Sequence, residues 1–152
     1  MSRSRIPAFL RELVRQRAHH VCEYYLLNED DVMHGFHVDH VISEKHGGPT
    51  EEHNLAFCCP FCNRAKGSDI AGHSDGDIVR LYNPRIDRWS EHFALDSERI
   101  MARSSIGAVT LRLLGFNDAH RLVLRRELKA AGLFPSAGAR HHSRDSGAIR
   151  DE

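Results

Sequence analysis

The chain has 152 residues, 41% of them hydrophobic, with 21 basic and 21 acidic side chains and a net charge of zero. That length gives one domain with a real core, and the first twenty residues hold no continuous apolar run of signal-peptide length, which argues against export or a membrane span. Of the four cysteines, Cys58, Cys59 and Cys62 lie too close together for a disulfide framework, so they read as thiols or metal ligands in a reducing compartment and predict a cytoplasmic protein.

Pro7 suits the first position of a helix within residues 6–20, where Phe9, Leu10, Leu13, Val14 and Ala18 recur at helical spacing. Glu29-Asp30-Asp31 and Gly35 mark a loop. Phe36 to Ile42 is short, β-branched and aromatic enough to be a strand, and Gly47-Gly48-Pro49 ends it. A second strand around Leu55 to Phe57 pairs with the first, and a helix beginning near Cys62 crosses both. Residues 67–77 are polar and glycine-containing and read as a connector.

Leu81 to Arg85 and Asp87 to Phe93 follow, with Trp89, His92 and Phe93 expected to seat the C-terminal region on the preceding unit. Arg99 to Ala102 reads as strand. Helical spacing recurs over 106–114 and 117–131, with Asn117 as N-cap and Gly132 as the stop. Residues 136–152 lack periodicity and read as a disordered tail. The fold class is α+β: one domain over 1–135, with a core at 21–70, an N-terminal helix and a C-terminal extension over 78–135.

The chemistry concentrates between Phe36 and Lys66. Asp39-His40, the His46 to Thr50 loop, Asn54 and the block Cys59-Pro60-Phe61-Cys62-Asn63-Arg64-Ala65-Lys66 follow one another there. Hydrolysing a phosphodiester needs a base for water and a cation for charge developing on phosphate. Asp39-His40 sets a metal-type oxygen beside a base that is substantially neutral at pH 7. Asn63 offers a second oxygen from the helix. His37, two residues before Asp39, shares its strand face. Arg64 and Lys66 are candidates for phosphate contact, although solvated basic residues are ordinary on a helix.

Charge is segregated along the chain. Residues 1–22 hold five arginines against one glutamate, 23–77 three basic against eleven acidic groups, and 78–129 ten basic against six acidic. Phosphate neutralisation drives non-specific nucleic-acid affinity, so the basic flanks are the expected contributors.

In order and content these residues resemble an HNH endonuclease family, over about residues 10 to 135: Cys22-Glu23-Tyr24, Asp39-His40-Val41-Ile42, the His46 to Thr50 loop, Asn54-Leu55-Ala56, the Cys59 to Gly67 block, Leu81 to Arg85 and Trp89 to Phe93. The resemblance implies a ββα-metal finger in which Asp39 and Asn63 bind a divalent cation, most naturally Mg2+. It also implies that His40 is the general base, that Asn54 holds the imidazole through a loop contact, and that DNA is cut to a 5′-phosphate and a 3′-hydroxyl. Members of that family usually carry two C-x-x-C pairs around zinc. Here Cys59 and Cys62 form one pair, but Cys22 is followed by Tyr25 where its partner belongs. Zn2+ binding therefore stays open, with Cys58, His19, His20, His34, His37 or water as the fourth ligand, or with the zinc lost. The alternative reading is a catalytically silent nucleic-acid-binding or zinc-binding module with the same fold.

Overall fold

The computed structural model describes residues 5–144. Helix α1 (Ala8–Arg17) starts after Pro7, and a tight turn follows in which His19 and His20 take positive φ. The strands β1 (His37–His40) and β2 (Leu55–Cys58) form an antiparallel hairpin with Val38 opposite Phe57, Asp39 opposite Ala56 and His40 opposite Leu55. Helix α2 (Pro60–Lys66) begins two residues earlier than Cys62, because Pro60 takes its first turn and the Cys59 sulfur caps it by accepting from the Cys62 N–H at 3.4 Å. This is the expected ββα unit within an α+β fold.

Alternation along the hairpin divides its two faces. Val38, Leu55 and Phe57 face α1 and pack with Ile6, Val14 and Ala18. On the opposite face Ala56 and Cys58 join the larger core, which continues through the fully buried run Tyr24-Tyr25-Leu26-Leu27. The apolar face of α1 is narrower than its spacing predicts: Phe9 is 71% and Leu13 38% exposed, while Val14 and Ala18 are sealed.

The outer edge of β2 is covered by side chains. Arg17 donates to the Leu55 carbonyl at 2.6 Å, the Glu23 carboxylate accepts from the Phe57 N–H at 2.8 Å, and the Glu23 N–H donates to the Phe57 carbonyl at 3.0 Å. An edge strand's spare backbone groups are thereby satisfied.

Residues 67–77 are more than a connector. They contain β3 (Ala71–Ser74), which pairs with β4 (Asp77–Arg80) through Asp75-Gly76. Both turn residues have positive φ, 48° and 86°, as a type I′ hairpin turn requires. The short helix α3 (Trp89–His92) leads into β5 (Phe93–Asp96), which pairs with the expected strand, β6 (Arg99–Ala102). Helix α4 (Ser105–Leu113) packs on β3, β4 and β6. Trp89, Phe93 and Phe116 are buried, and the Trp89 indole donates to the Tyr24 carbonyl at 2.9 Å, seating the C-terminal half on the ββα unit.

Two expectations about helix ends change. Helix α5 (Ala119–Ala130) has Asp118, not Asn117, at its N-cap position. The Asn117 amide instead exchanges two hydrogen bonds with the backbone of Ile100, at 3.0 and 2.8 Å, and so ties α5 to β6. The expected disordered tail begins with a helix, α6 (Ala137–Ser143), whose Ala139 is fully buried. Residues 145–152 of that tail lie outside the described residues. Among the described residues no helix is long and apolar enough to cross a membrane.

Candidate active site

Neighbouring strand residues point to opposite faces, so the hairpin sends Asp39 toward α2 and His40 to the other side. Asp39 is 8% and Lys66 2% exposed. The Lys66 ammonium donates to Asp39 Oδ2 and to the His40 carbonyl, both at 3.1 Å. Lys66 is therefore an internal counter-charge and not a surface phosphate contact, which corrects the sequence expectation. Asn63 lies one turn before Lys66 on α2 and so shares its side of the helix. Arg64 is exposed.

His40 is half-buried, and its Nε2 lies 2.9 Å from Thr50 Oγ1. The Thr50 hydroxyl in turn donates to Glu44 Oε1 at 3.3 Å. A threonine has a single hydroxyl proton. With that proton directed to Glu44, Thr50 accepts from Nε2–H, and the imidazole lone pair sits on Nδ1. Thr50 and Glu44 were missed as positioning groups because their spacing from His40 has meaning only once the loop is closed.

Asn54 closes that loop. Its amide donates to the carbonyls of Ile42 and Pro49, each at 2.9 Å, and accepts from the Ile42 N–H at 3.0 Å. It touches the loop backbone and not the imidazole. Gly48 is required by the same closure: a Cβ there would lie 1.8 Å from the Ile42 carbonyl oxygen and 2.7 Å from the Asn54 amide nitrogen. His37 and His46 are exposed.

Behind α2, the sulfurs of Cys22, Cys59 and Cys62 lie within 4.8 Å of one another, fully buried, and could hold a metal ion. The chain around Cys22 keeps a knuckle-like turn without a second cysteine: the Cys22 N–H donates to the Leu27 carbonyl at 2.9 Å, and the Leu26 N–H to the Cys22 carbonyl at 2.8 Å. Neither Cys58 nor any histidine joins the cluster at that mutual distance among the described residues. Burial opposes ionisation of Cys22, but hydrogen bonds from Cys58, Cys59 and Cys62 outweigh it and pull its thiol below the ordinary range. Burial pushes the Cys62 thiol up.

Tyr25 is fully buried, and the Arg121 guanidinium lies 4.9 Å from its ring centroid and 5.4 Å from that of Phe61. Arg121 Nη1 donates to Cys62 Sγ at 3.4 Å. Arg125, also buried, approaches the Tyr25 ring at 4.9 Å. The donor set thus fits three corners of a tetrahedral thiolate site, with a guanidinium donating to one of the three sulfurs. Neither arginine was picked out from the sequence, since both fall within an ordinary amphipathic helix.

A family model described as HNH endonuclease matches residues 22–69, less than half of the chain, from the turn at Cys22 to the end of α2. No curated protein and no solved structure matches the chain. The matched stretch contains Asp39, His40, Asn54, Asn63 and the three clustered cysteines on a ββα frame, so residues 22–69 are similar to an HNH endonuclease domain.

Proposed function

We propose that the chain is a metal-dependent endonuclease that hydrolyses phosphodiester bonds of DNA, with His40 as general base. The observation that carries this is the Glu44–Thr50–His40 hydrogen-bond relay beside Asp39. A binding module has no need for an imidazole held in one tautomer with Nδ1 free to accept a proton.

Asp39 Oδ1 has no hydrogen-bond partner among the described residues, and the Asn63 amide shares the helix side that meets β1. These two hard oxygen donors suit Mg2+ completed by waters and phosphate. When bound there, a divalent cation neutralises charge developing on the phosphate and the leaving 3′-oxygen. His40 Nδ1 takes the proton of the attacking water, and Nε2 stays anchored on Thr50 throughout.

The three cysteines are assigned a structural role behind α2, with zinc as their metal where one is held. Incubating supercoiled plasmid with the purified chain and Mg2+ tests the proposal. Conversion to open circles that His40→Ala abolishes is the expected result. Binding without cutting at any divalent cation overturns it in favour of a silent binding module.

A further inference from the structure

Arg17, Glu23, Arg85, Asp87, Arg88 and Arg144 line a cavity of about 270 Å³ between α1, α3 and α6, together with His141 and His142. Its acids are already committed. Glu23 is buried, ion-paired with Arg85 and bonded to the Phe57 N–H. Asp87 is held in a two-pronged pair by Arg80 at 2.7 and 2.8 Å. The arginines are under-used. Arg17 makes one hydrogen bond, to Leu55, and the Nε atoms of both Arg17 and Arg85 are buried without a partner among the described residues.

Buried guanidinium N–H groups without acceptors call for an anion. Burial, and then the neighbouring charge of Arg85, pull the Arg17 pKa down against the opposing charges of Glu23 and Glu52. The cavity also lies close to the proposed chemistry. Arg17 ends on the carbonyl of Leu55, the residue opposite His40 in the hairpin, and α1 packs on the face from which His40 projects.

We propose that this cavity is a phosphate site, and that it grips a backbone phosphate of the nucleic acid flanking the bond presented to His40. The inference rests on the nucleic-acid reading above. It adds an anchor built by α1 and the C-terminal half of the chain, mostly outside the matched HNH stretch. A phosphate there meets the guanidinium groups of Arg17 and Arg85 that line the cavity, with Arg88 and Arg144 at the exposed rim.

The test measures anisotropy of a labelled DNA duplex against salt concentration for the full chain. The rim variants Arg88→Gln and Arg144→Gln leave the buried Glu23 pair intact, and Arg85→Lys keeps its charge while losing the fork. Arg99→Gln, exposed and outside the cavity, is the control for lost charge. The expected result is a slope of log K against log salt that falls by about 0.9 for the lost phosphate contact in each rim variant and not in the control, while Arg85→Lys weakens binding at an unchanged slope. Cleavage at saturating DNA keeps its rate while KM rises.

Inorganic phosphate, titrated by calorimetry, separates the two sources of the anion. Phosphate that binds the cavity and competes with duplex supports the anchor. Phosphate binding lost in the variants while their DNA slope stays unchanged makes the cavity a small-anion site and overturns the backbone assignment. Variants that match the control in both assays overturn the site altogether, and if they still cut DNA the nuclease reading survives. Slopes that fall as expected in a chain that never cuts leave the anchor standing and overturn the nuclease reading.

Discussion

Lys66 Nζ sits 3.1 Å from Asp39 Oδ2 with both side chains removed from solvent. The ammonium reaches the Asp39 carboxylate from the far end of α2 and also binds the His40 carbonyl, so one cation ties the Asp39 side chain to the His40 backbone. Removing one partner of a buried pair strands the other charge. Lys66→Met is therefore expected to destabilise the fold by about 3–5 kcal/mol in urea unfolding. The double variant Asp39→Asn/Lys66→Met is expected to recover much of that loss. A single-variant loss below about 1 kcal/mol, the range of exposed pairs, contradicts the arrangement.

The relay behind His40 separates chemistry from binding. His40→Ala is expected to lower the cleavage rate about 10²–10⁴-fold, the usual contribution of a general base, with DNA affinity nearly unchanged. Thr50→Val removes one hydrogen bond and frees the tautomer, so a loss of about tenfold in kcat is expected. Equal losses in binding and rate would show that His40 is a contact and not a base. Asp39→Ala and Asn63→Ala are expected to raise the Mg2+ concentration for half-maximal rate. An unchanged metal curve removes that residue from the ligand set.

The ββα unit is legible in the sequence because its signals are local: Pro60 at a helix start, Gly47-Gly48-Pro49 after a strand, and alternation through Val38 and His40. The β3–β4 hairpin carries a local signal as well, Asp75-Gly76, but Ala71-Gly72-His73 has little of the bulk that marks strands, and β3 is recognised only where α4 covers it. Lys66, Arg121 and Arg125 are charged residues on amphipathic helices, and their burial is created by partners far away in the chain. Thr50 belongs to the same class, since its role depends on the loop that Asn54 and Gly48 draw shut.

The cysteine cluster offers three thiols and, with Tyr25 at the second position of the Cys22 pair, no fourth thiolate there, while Arg121 donates to Cys62. Substoichiometric zinc is expected in purified protein, and a strong chelator is expected to shift Tm by less than about 4 °C, the equivalent of roughly 1 kcal/mol in a chain of this size. Tyr25→Cys is expected to raise zinc content toward one per chain. Stoichiometric zinc in the unaltered protein, with a large chelator-induced fall in Tm, would show that a fourth ligand is present after all.

The docking of α6 is expected to depend on pH. His142 Nε2 bonds the Ala18 carbonyl at 2.9 Å, and the His19 and His141 rings stack with centroids 3.9 Å apart. Burial lowers the His142 pKa, the Ala18 carbonyl opposes this, and His141, His19 and Arg85 lower it further. Burial and its histidine neighbours lower His19 as well. The unfolded imidazole titrates near 6.5 and the folded one below it, so protons favour the undocked chain. This contribution is complete above about pH 6.5 and is lost as pH falls through the depressed folded value. Amide protection factors in residues 137–143, corrected for intrinsic exchange at each pH, are expected to fall below about pH 6. Protection that stays flat from about pH 7.5 to 5 contradicts the coupling.

The segment with the HNH pattern does not close its own interior. Tyr25 is clamped by Arg121 and Arg125, Glu23 is neutralised by Arg85, and Tyr24 is held by Trp89, all supplied from beyond residue 69. A cassette cut at the limits of the HNH match would carry a bare aromatic strip and an unbalanced buried carboxylate into any new host. Transplantable and recognisable are different boundaries in this protein, and a working graft must bring Arg85, α3 and α5 with it.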